Sequence, residues 1–315
     1  MTDTGKKLIS IVSPAYNEEV NIPLMIEEIK QVFAQKLPKY DFEYILVDDG
    51  SSDRTWQVIQ EQSKDARIKG IRLSRNFGHQ IAMTAGLDQA VGEAVIYCDS
   101  DLQHPPEIFS ELVEKWEQGF DVVHTVRIST EDIGFVKKFF SDAFYKIINA
   151  FSDVRIEKGM ADFKLLDKKV LSHLKKFREV NRFLRGIVPW LGFKATQIEY
   201  IARKRIHGRA GFSFRKSLVL AKTGILTFSL KPLKFIGYFG ILLTITSAGL
   251  TLFSVSWFVI YYSWYFSPMV TLTLFNAFLI GIVLICLGIM SLYLSYIYSE
   301  VVNRPLYIVS ESTNV

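Results

Sequence analysis

The sequence predicts an α/β domain on a mostly parallel sheet, followed by a two-helix transmembrane hairpin. Through the first half, short β-rich runs alternate with helical patterns, the arrangement of βαβ units. From Phe235 to Ser299 no Asp, Glu, Lys, Arg or His occurs, while the residues before it carry nearly all the charge.

"LISIVSP" (Leu8 to Pro14) reads as a first strand and "NIPLMIEEIKQVF" (Asn21 to Phe33) as a helix, its apolar residues three and four apart. "YILVDD" (Tyr44 to Asp49) is a second strand, with Ser52 or Asp53 placed to cap the helix behind it. "IKGIRLS" supplies a third strand, "QIAMTAGLDQA" a helix and "EAVIYCD" a fourth strand. Val95, Ile96, Tyr97 and Cys98 do not alternate with polar residues, as expected of a strand covered on both faces. In an open parallel sheet ligands bind beyond the carboxyl ends of the strands. Pro14 to Glu18, Asp48 to Asp53 and Asp99 to Gln103 fall at such ends, so three acid-bearing loops converge on one edge. Neither GxxxxGK[ST] nor GxGxxG occurs, which excludes the usual glycine-rich phosphate loops.

Farther on, "GFVKKFFSDAFYKIINAF" (Gly134 to Phe151) and "FSFRKSLVLAKTGILTFSL" (Phe212 to Leu230) join apolar faces to basic residues. Both read as helices lying in a membrane surface, the first equally as a core helix with a solvated basic edge. The uncharged stretch far exceeds the roughly 20 residues of one helical crossing. Two passes therefore fit it, Phe235 to Tyr262 and Leu272 to Tyr298, with "SWYFSPMV" as the turn between them. Small residues such as Gly240, Gly281 and Gly288 would let helices approach, which points to a homo-oligomer. No signal-peptide pattern opens the chain, and basic residues flank the passes while their link has none. The large N-terminal part and both ends are therefore expected in the cytoplasm. The expected organisation is a catalytic domain over 1–211, an interfacial helix over 212–232, the membrane pair over 233–299 and a cytoplasmic tail over 300–315, loose after Pro305. Cys98 and Cys286 fall in different parts and make no disulfide framework. A net charge of +5 calls for no nucleic acid, since the basic residues gather near the membrane segment, where anionic lipid is the economical partner.

In "VIYCDSDLQHPPE" (Val95 to Glu107) two acids stand one residue apart beyond a strand, where they repel unless a cation lies beside them. Hard oxygen ligands suit Mg²⁺ or Mn²⁺, bridging to a diphosphate, rather than zinc. A polar turn into a helix opened by Pro105 or Pro106 is the other reading. His79, His104, His124, His173 and His207 have no zinc spacing and read as polar surface or loop residues, with His104 a neighbour of the acidic loop.

Taken in order, "VSPAYNEEVNI", "LVDDGSSDRT", "SRNFGHQIAMTAGL" and "YCDSDLQHPPE" resemble family 2 glycosyltransferases with the nucleotide-sugar-binding GT-A fold. "GMADFKLLD" and "NRFLRGIVPWLGF" are similar to the subgroup that loads a sugar onto a polyprenyl phosphate, the bactoprenol glucosyltransferases and dolichol-phosphate mannose synthases. The resemblance covers about Ile9 to Ser213. It implies that Pro14, Ala15, Tyr16 and Glu18 line the nucleotide pocket and that Asp48 and Asp49 contact base and ribose, a role compatible with capping the next helix. It implies that Asp99, Asp101 and Gln103 hold the metal and the diphosphate, Asp99 also bordering the nucleotide. Asp162 matches the acid that serves as base or sugar anchor, and a structural, salt-bridged acid is the alternative. Arg127, Lys137 and Ser141 match the acceptor-phosphate pocket, with lysine where arginine is common in the family. Arg203, Arg205 and Arg209 belong to "RKRIHGRAGFS", which resembles the basic loop over the diphosphate, although Phe214 stands where relatives often have lysine.

The implied activity is an inverting, metal-dependent transfer of a hexose to an undecaprenyl-type phosphate at the cytoplasmic membrane face, by a tetramer as in relatives. UDP-glucose is the expected donor on overall likeness, and GDP-mannose is the alternative. A lipid phosphate with a second pKa near roughly 6 is already a nucleophilic dianion at neutral pH, so a strong base is less necessary. A processive polysaccharide synthase is disfavoured because "NRFLRG" lacks Gln-x-x-Arg-Trp, and the intact acids disfavour a silent lipid-binding scaffold.

Overall fold

The computed structural model describes residues 5–128, 160–180, 182–203, 238–239, 242, 256–261 and 268–315. They fall into two compact units: the described residues up to 203 together with Arg304–Val315, and those between 238 and 303.

The first unit is laid down as β1 (Lys7–Ala15), α1 (Asn21–Gln35), β2 (Tyr40–Asp48), α2 (Thr55–Gln62), β3 (Ile68–Leu73), α3 (His79–Gln89) and β4 (Ala94–Tyr97). A 3-10 turn (Pro106–Ile108) and α4 (Phe109–Glu117) follow, then β5 (Val122–Ile128), β6 (Met160–Asp167), α5 (Lys168–Leu174), α6 (Leu184–Trp190) and β7 (Ala195–Ile201). The second unit contributes α7 (Pro268–Val301), and the chain ends on β8 (Val309–Thr313) in the first.

The strands form one sheet in the order β7-β5-β6-β4-β1-β2-β3-β8. Its centre, β4-β1-β2-β3, is parallel. There Ile9, Ile11, Val12, Ile45, Leu46 and Ile96 have no exposed surface, which is why apolar residues run on without alternation. α1 turns Ile22, Met25, Ile26, Ile29 and Phe33 inward at helical spacing. Asp53 takes the backbone N–H of Thr55 (3.0 Å), as expected at the start of α2, and Pro106 opens the turn before α4. β6 runs antiparallel to both β4 and β5. The start of β6 therefore returns to the edge where β1, β2, β4 and β5 end.

Two expectations change. The tail is not loose, because β8 pairs antiparallel with β3 and covers that edge of the sheet. The membrane hairpin is also not present in the described residues. α7 runs 34 residues, about 50 Å at 1.5 Å per residue, and contains the second expected pass, whereas most of the first pass lies outside the described residues. Among the described residues no helix is long and apolar enough to cross a membrane. The segments Gly134–Phe151 and 212–232 lie outside the described residues as well.

Candidate active site

The site grows from three loops at the carboxyl edge of the parallel strands. β1 and β2 end level, with Ala15 beside Asp48. After β1, Asn17 takes a left-handed conformation (φ 58°), donates its N–H to Ser51 Oγ (2.9 Å) and accepts from the Ser52 N–H (2.9 Å). The Glu18 N–H reaches Thr55 Oγ1 at 2.9 Å, and the Glu18 carboxylate accepts from the Asn21 amide. Tyr16 stands 49% exposed beside these anchors.

Asp48 is fully buried, and its Oδ1 accepts from the Ser51 N–H at 2.9 Å. Both oxygens of Asp49 are taken by backbone: Oδ1 by Phe77 N–H (2.7 Å) and Oδ2 by Gly78 N–H (2.9 Å). Burial pushes the Asp49 carboxyl above its usual range, and those two N–H groups oppose the rise. Asp49 thus pins the loop entering α3. Gly50 between them needs φ +68°, and a Cβ there would lie 2.6 Å from the Arg75 carbonyl carbon, so only glycine lets the two loops close.

Beyond β4, Ser100 Oγ donates to the Pro14 carbonyl (2.9 Å), tying the acidic loop to the first loop. Leu102 adopts φ 61°, and Asp101 Oδ1 accepts from the Gln103 N–H at 3.1 Å, closing a tight turn. Asp101 is buried, whereas the Asp99 side chain is 35% exposed and its Oδ1 has no hydrogen-bond partner. His79 Nε2 lies 3.4 Å from that oxygen. His104 is no surface residue: its ring is buried, stacked on Phe163 (5.1 Å between centroids), and its Nδ1 accepts from the Asp99 N–H (3.0 Å). That bond leaves the proton on Nε2, so the 3.8 Å approach of Nδ1 to the Asp99 carboxylate is not an ion pair. Burial, with Lys164 second, lowers His124 to about 3, so it too is a neutral interior residue.

β6 completes the edge. Tyr97 pairs with Lys164, and continuing that antiparallel register by two residues sets Asp162 level with Asp99. Asp162 is buried, its Oδ2 held by Arg185 Nη2 of α6 (2.8 Å) and by Gln80 Nε2 of α3 (3.1 Å). Gln80 also accepts the Leu184 N–H through Oε1 (3.1 Å), which fixes the start of α6 at the site. Asp162 Oδ1 has no partner among the described residues. Burial would raise this carboxyl, but the Arg185 guanidinium, with His79 and Lys164 adding to it, holds it down to about 2. Fully buried Lys164 is pushed down to about 8 by burial, with Asp162 opposing.

The expected residues are therefore distributed unevenly. Pro14, Ala15, Tyr16, Glu18, Asp48, Asp49, Asp99, Asp101, Gln103 and Asp162 share this edge. Arg127 sits exposed at the end of β5, opposite Tyr200. Arg203 donates its backbone N–H to the Gln103 carbonyl of the acidic loop (3.3 Å), while its guanidinium is bonded to both oxygens of Glu28 (2.9 and 2.8 Å) and to Glu107. Lys137, Ser141, Arg205 and Arg209 lie outside the described residues. His79, Gln80, Lys164 and Arg185 join the site without having been singled out. The first two stand in "SRNFGHQ" and the last in "NRFLRG", but nothing local marks them as partners of Asp99 or Asp162.

A divalent cation fits this arrangement in one respect. Asp99 presents an unpartnered carboxylate oxygen two residues from Asp101. Among the described residues no group of three His, Cys, Asp or Glu is gathered for a metal, so a bound ion would take further oxygens from substrate or water.

Carboxylates at the ends of parallel strands, with one more on a returning antiparallel strand, gather at the carboxyl edge, the place where open α/β sheets bind ligands. Residues 10–174 match the family described as Glycosyl transferase family 2. The chain belongs to glycosyl transferase family 2. Over 97% of its length it is 41% identical to a Bacillus subtilis (strain 168) protein named Uncharacterized glycosyltransferase YkcC, covering 94% of that protein. It is 38% identical to Uncharacterized glycosyltransferase sll0501 of Synechocystis sp., over 96% of this chain and 95% of that one. It is 35% identical to the SfII prophage-derived bactoprenol glucosyl transferase of Shigella flexneri, over 96% and 98% respectively. Among solved structures, a Pyrobaculum calidifontis mannosyltransferase in complex with GDP-Man and Mn²⁺ overlays with a TM-score of 0.45 at 15% identity, over 90% of this chain and 88% of that one, too loose a likeness to argue from.

Proposed function

We propose that this glycosyltransferase moves a hexose, glucose from UDP-glucose, onto a polyprenyl phosphate at the cytoplasmic face of a membrane, with inversion at the anomeric carbon. The observation that carries this reading is the set of acids at one edge of the sheet: Asp99 and Asp101 just beyond β4, with an oxygen of Asp99 unpartnered, and Asp162 near the start of the antiparallel neighbour β6, held by Arg185 and Gln80. The names of relatives that are bactoprenol glucosyl transferases support the acceptor. The uncharged sequence of α7 up to Glu300 supports a membrane setting.

In the reaction an oxygen of the acceptor phosphate bonds to the anomeric carbon while the bond from that carbon to the diphosphate breaks, and the nucleoside diphosphate leaves. Asp99 and Asp101 would hold Mg²⁺ or Mn²⁺, which supplies positive charge against the diphosphate. Asp162, kept ionised by Arg185, is a poor proton acceptor at neutral pH but a fixed hydrogen-bond acceptor through its buried, unpartnered Oδ1. We therefore assign it to anchoring a sugar hydroxyl, since a phosphate dianion needs no base. Arg127 is the described cation best placed to meet the acceptor phosphate.

The test supplies purified protein with Mg²⁺ or Mn²⁺, a short polyprenyl phosphate and, in parallel, labelled UDP-glucose, UDP-galactose, UDP-N-acetylglucosamine and GDP-mannose. A single-sugar lipid formed best from UDP-glucose is expected. Best product from another donor would replace the sugar, long polymer would indicate a synthase, and binding without turnover would indicate a scaffold.

A further inference from the structure

β8 is tied to β3 by more than its ladder. Gly70 faces Thr313, and a Cβ on Gly70 would lie 2.8 Å from Thr313 Cγ2 and 2.5 Å from Ile59 Cγ2, so the edge is shaped to receive the strand. Asn314 Nδ2 donates to the carbonyls of Ser63 (2.6 Å) and Ile68 (2.9 Å), and the Ser74 N–H donates to Ile308 O (2.9 Å).

At the next polar position Glu311 lies opposite Arg72. Its Oε1 is 2.8 Å from Arg72 Nη1, and its Oε2 accepts from the buried Trp56 indole N–H at 2.9 Å. On its other side Arg72 brings Nε to 3.4 Å from Asp48 Oδ2. That oxygen is buried and has no hydrogen-bond partner, so Arg72 is the nearby positive charge holding it. The Arg72 side chain is 33% exposed and rotamer-rich, and needs an outer contact to stay over Asp48. Glu311 supplies that contact, itself fixed by Trp56. A pair as exposed as Arg72–Glu311 contributes little to stability, so its effect belongs in Asp48.

We propose that Glu311 is a positioning residue for the nucleotide pocket: through Arg72 it sets the orientation and charge environment of Asp48, making the C-terminal strand part of the donor-binding machinery. This rests on the reading of the Asp48 loop as the nucleoside end of the donor site.

The test uses the full-length protein in detergent, with UDP titrated calorimetrically, donor KM and kcat measured, and thermal melting followed. Glu311→Ala should raise the UDP Kd and the donor KM about five- to tenfold with kcat within twofold, and Glu311→Gln should fall between it and wild type. Arg72→Met should weaken UDP as much, and the double variant should be no worse than Arg72→Met, because the two residues act in series. Asn314→Ala loosens the strand away from Arg72 and should lower the melting temperature while leaving the UDP Kd within twofold. Wild-type affinity in Glu311→Ala, equal weakening by Asn314→Ala, or full additivity in the double variant would overturn the relay. Absence of UDP binding by the wild type would instead overturn the donor reading on which it stands.

Discussion

The two sides of the reactive edge fix their carboxylates by different means. Around the parallel strands, Asp49 and Asp101 are held by backbone N–H groups of their own or the adjoining loop, and Asp48 by one such N–H with Arg72 beside its other oxygen. On the antiparallel side Asp162 is held by two side chains, from α3 and α6. Backbone clamps are set by loop conformation and tolerate sequence change around them. Side-chain clamps depend on particular residues far apart in the chain, so the antiparallel side should be the more fragile under mutation.

The largest effect is expected where a carboxylate is left open for substrate. Asp99→Asn should reduce turnover by roughly 10²- to 10³-fold, the scale of losing one electrostatic contact to developing charge, with the melting temperature unchanged because Asp99 does not hold the fold. Next comes Arg185→Met, which strips the buried Asp162 of its guanidinium. It should cost about 3 kcal/mol of stability in denaturant melts, the low end for breaking a buried pair because Arg185 is 26% exposed. In the wild type the Asp162 carboxyl is depressed from 3.8 to about 2, so its stabilisation is full above the unfolded value and is lost as pH falls through the folded one. Without Arg185, burial acts unopposed by that cation, and the acid limb of both stability and turnover should move to higher pH.

Gln80→Ala removes one clamp on Asp162 and the partner of the Leu184 N–H together, and about a tenfold loss of kcat is expected from the displaced acid. Asp49→Asn should act mainly on the fold, lowering stability by about 1 to 2 kcal/mol through one lost backbone bond, with the donor KM little changed. A large KM effect there would show that Asp49 meets the nucleotide directly and would blur the contrast between the two sides. The last effect is read through pH and belongs to Lys164. Its folded value of about 8 lies below the unfolded 10.5, so the cost of burying its charge is full below about 8 and is relieved as pH rises through that window. Wild type should therefore gain stability relative to Lys164→Met between those two pH values.

The same contrast decides how much could be read from sequence. The parallel side was legible because its strands are uninterrupted apolar runs and Asp48 and Asp101 each bind an N–H two or three residues on, so "LVDDGSS" and "YCDSDLQ" carry part of their geometry, whereas the clamp on Asp49 comes from Phe77 and Gly78, 28 and 29 residues away. Asp162 was found by resemblance to a family motif, but its clamps were not, since Gln80 lies 82 residues away and nothing near either residue encodes the meeting. The partners of Arg203 were likewise out of reach of the sequence, since Glu28, which its guanidinium binds, lies 175 residues earlier. His104 was taken for a polar residue, and the aromatic cage that buries it comes from β6 and β7. The tail was misread because "VSEST" has a single apolar residue and no apolar face, its strand being fixed by ladder bonds and by Trp56, Arg72 and Gly70.

The central claim is that Asp99 and Asp101 form one half of a cation site whose other half is the diphosphate. Calorimetric titration of UDP into the purified protein, with Mn²⁺ and after complete chelation, tests it most directly. At least tenfold tighter binding with Mn²⁺ in the wild type, and no such gain in Asp99→Asn, is the predicted result. Equal UDP affinity with and without the ion in the wild type would contradict it.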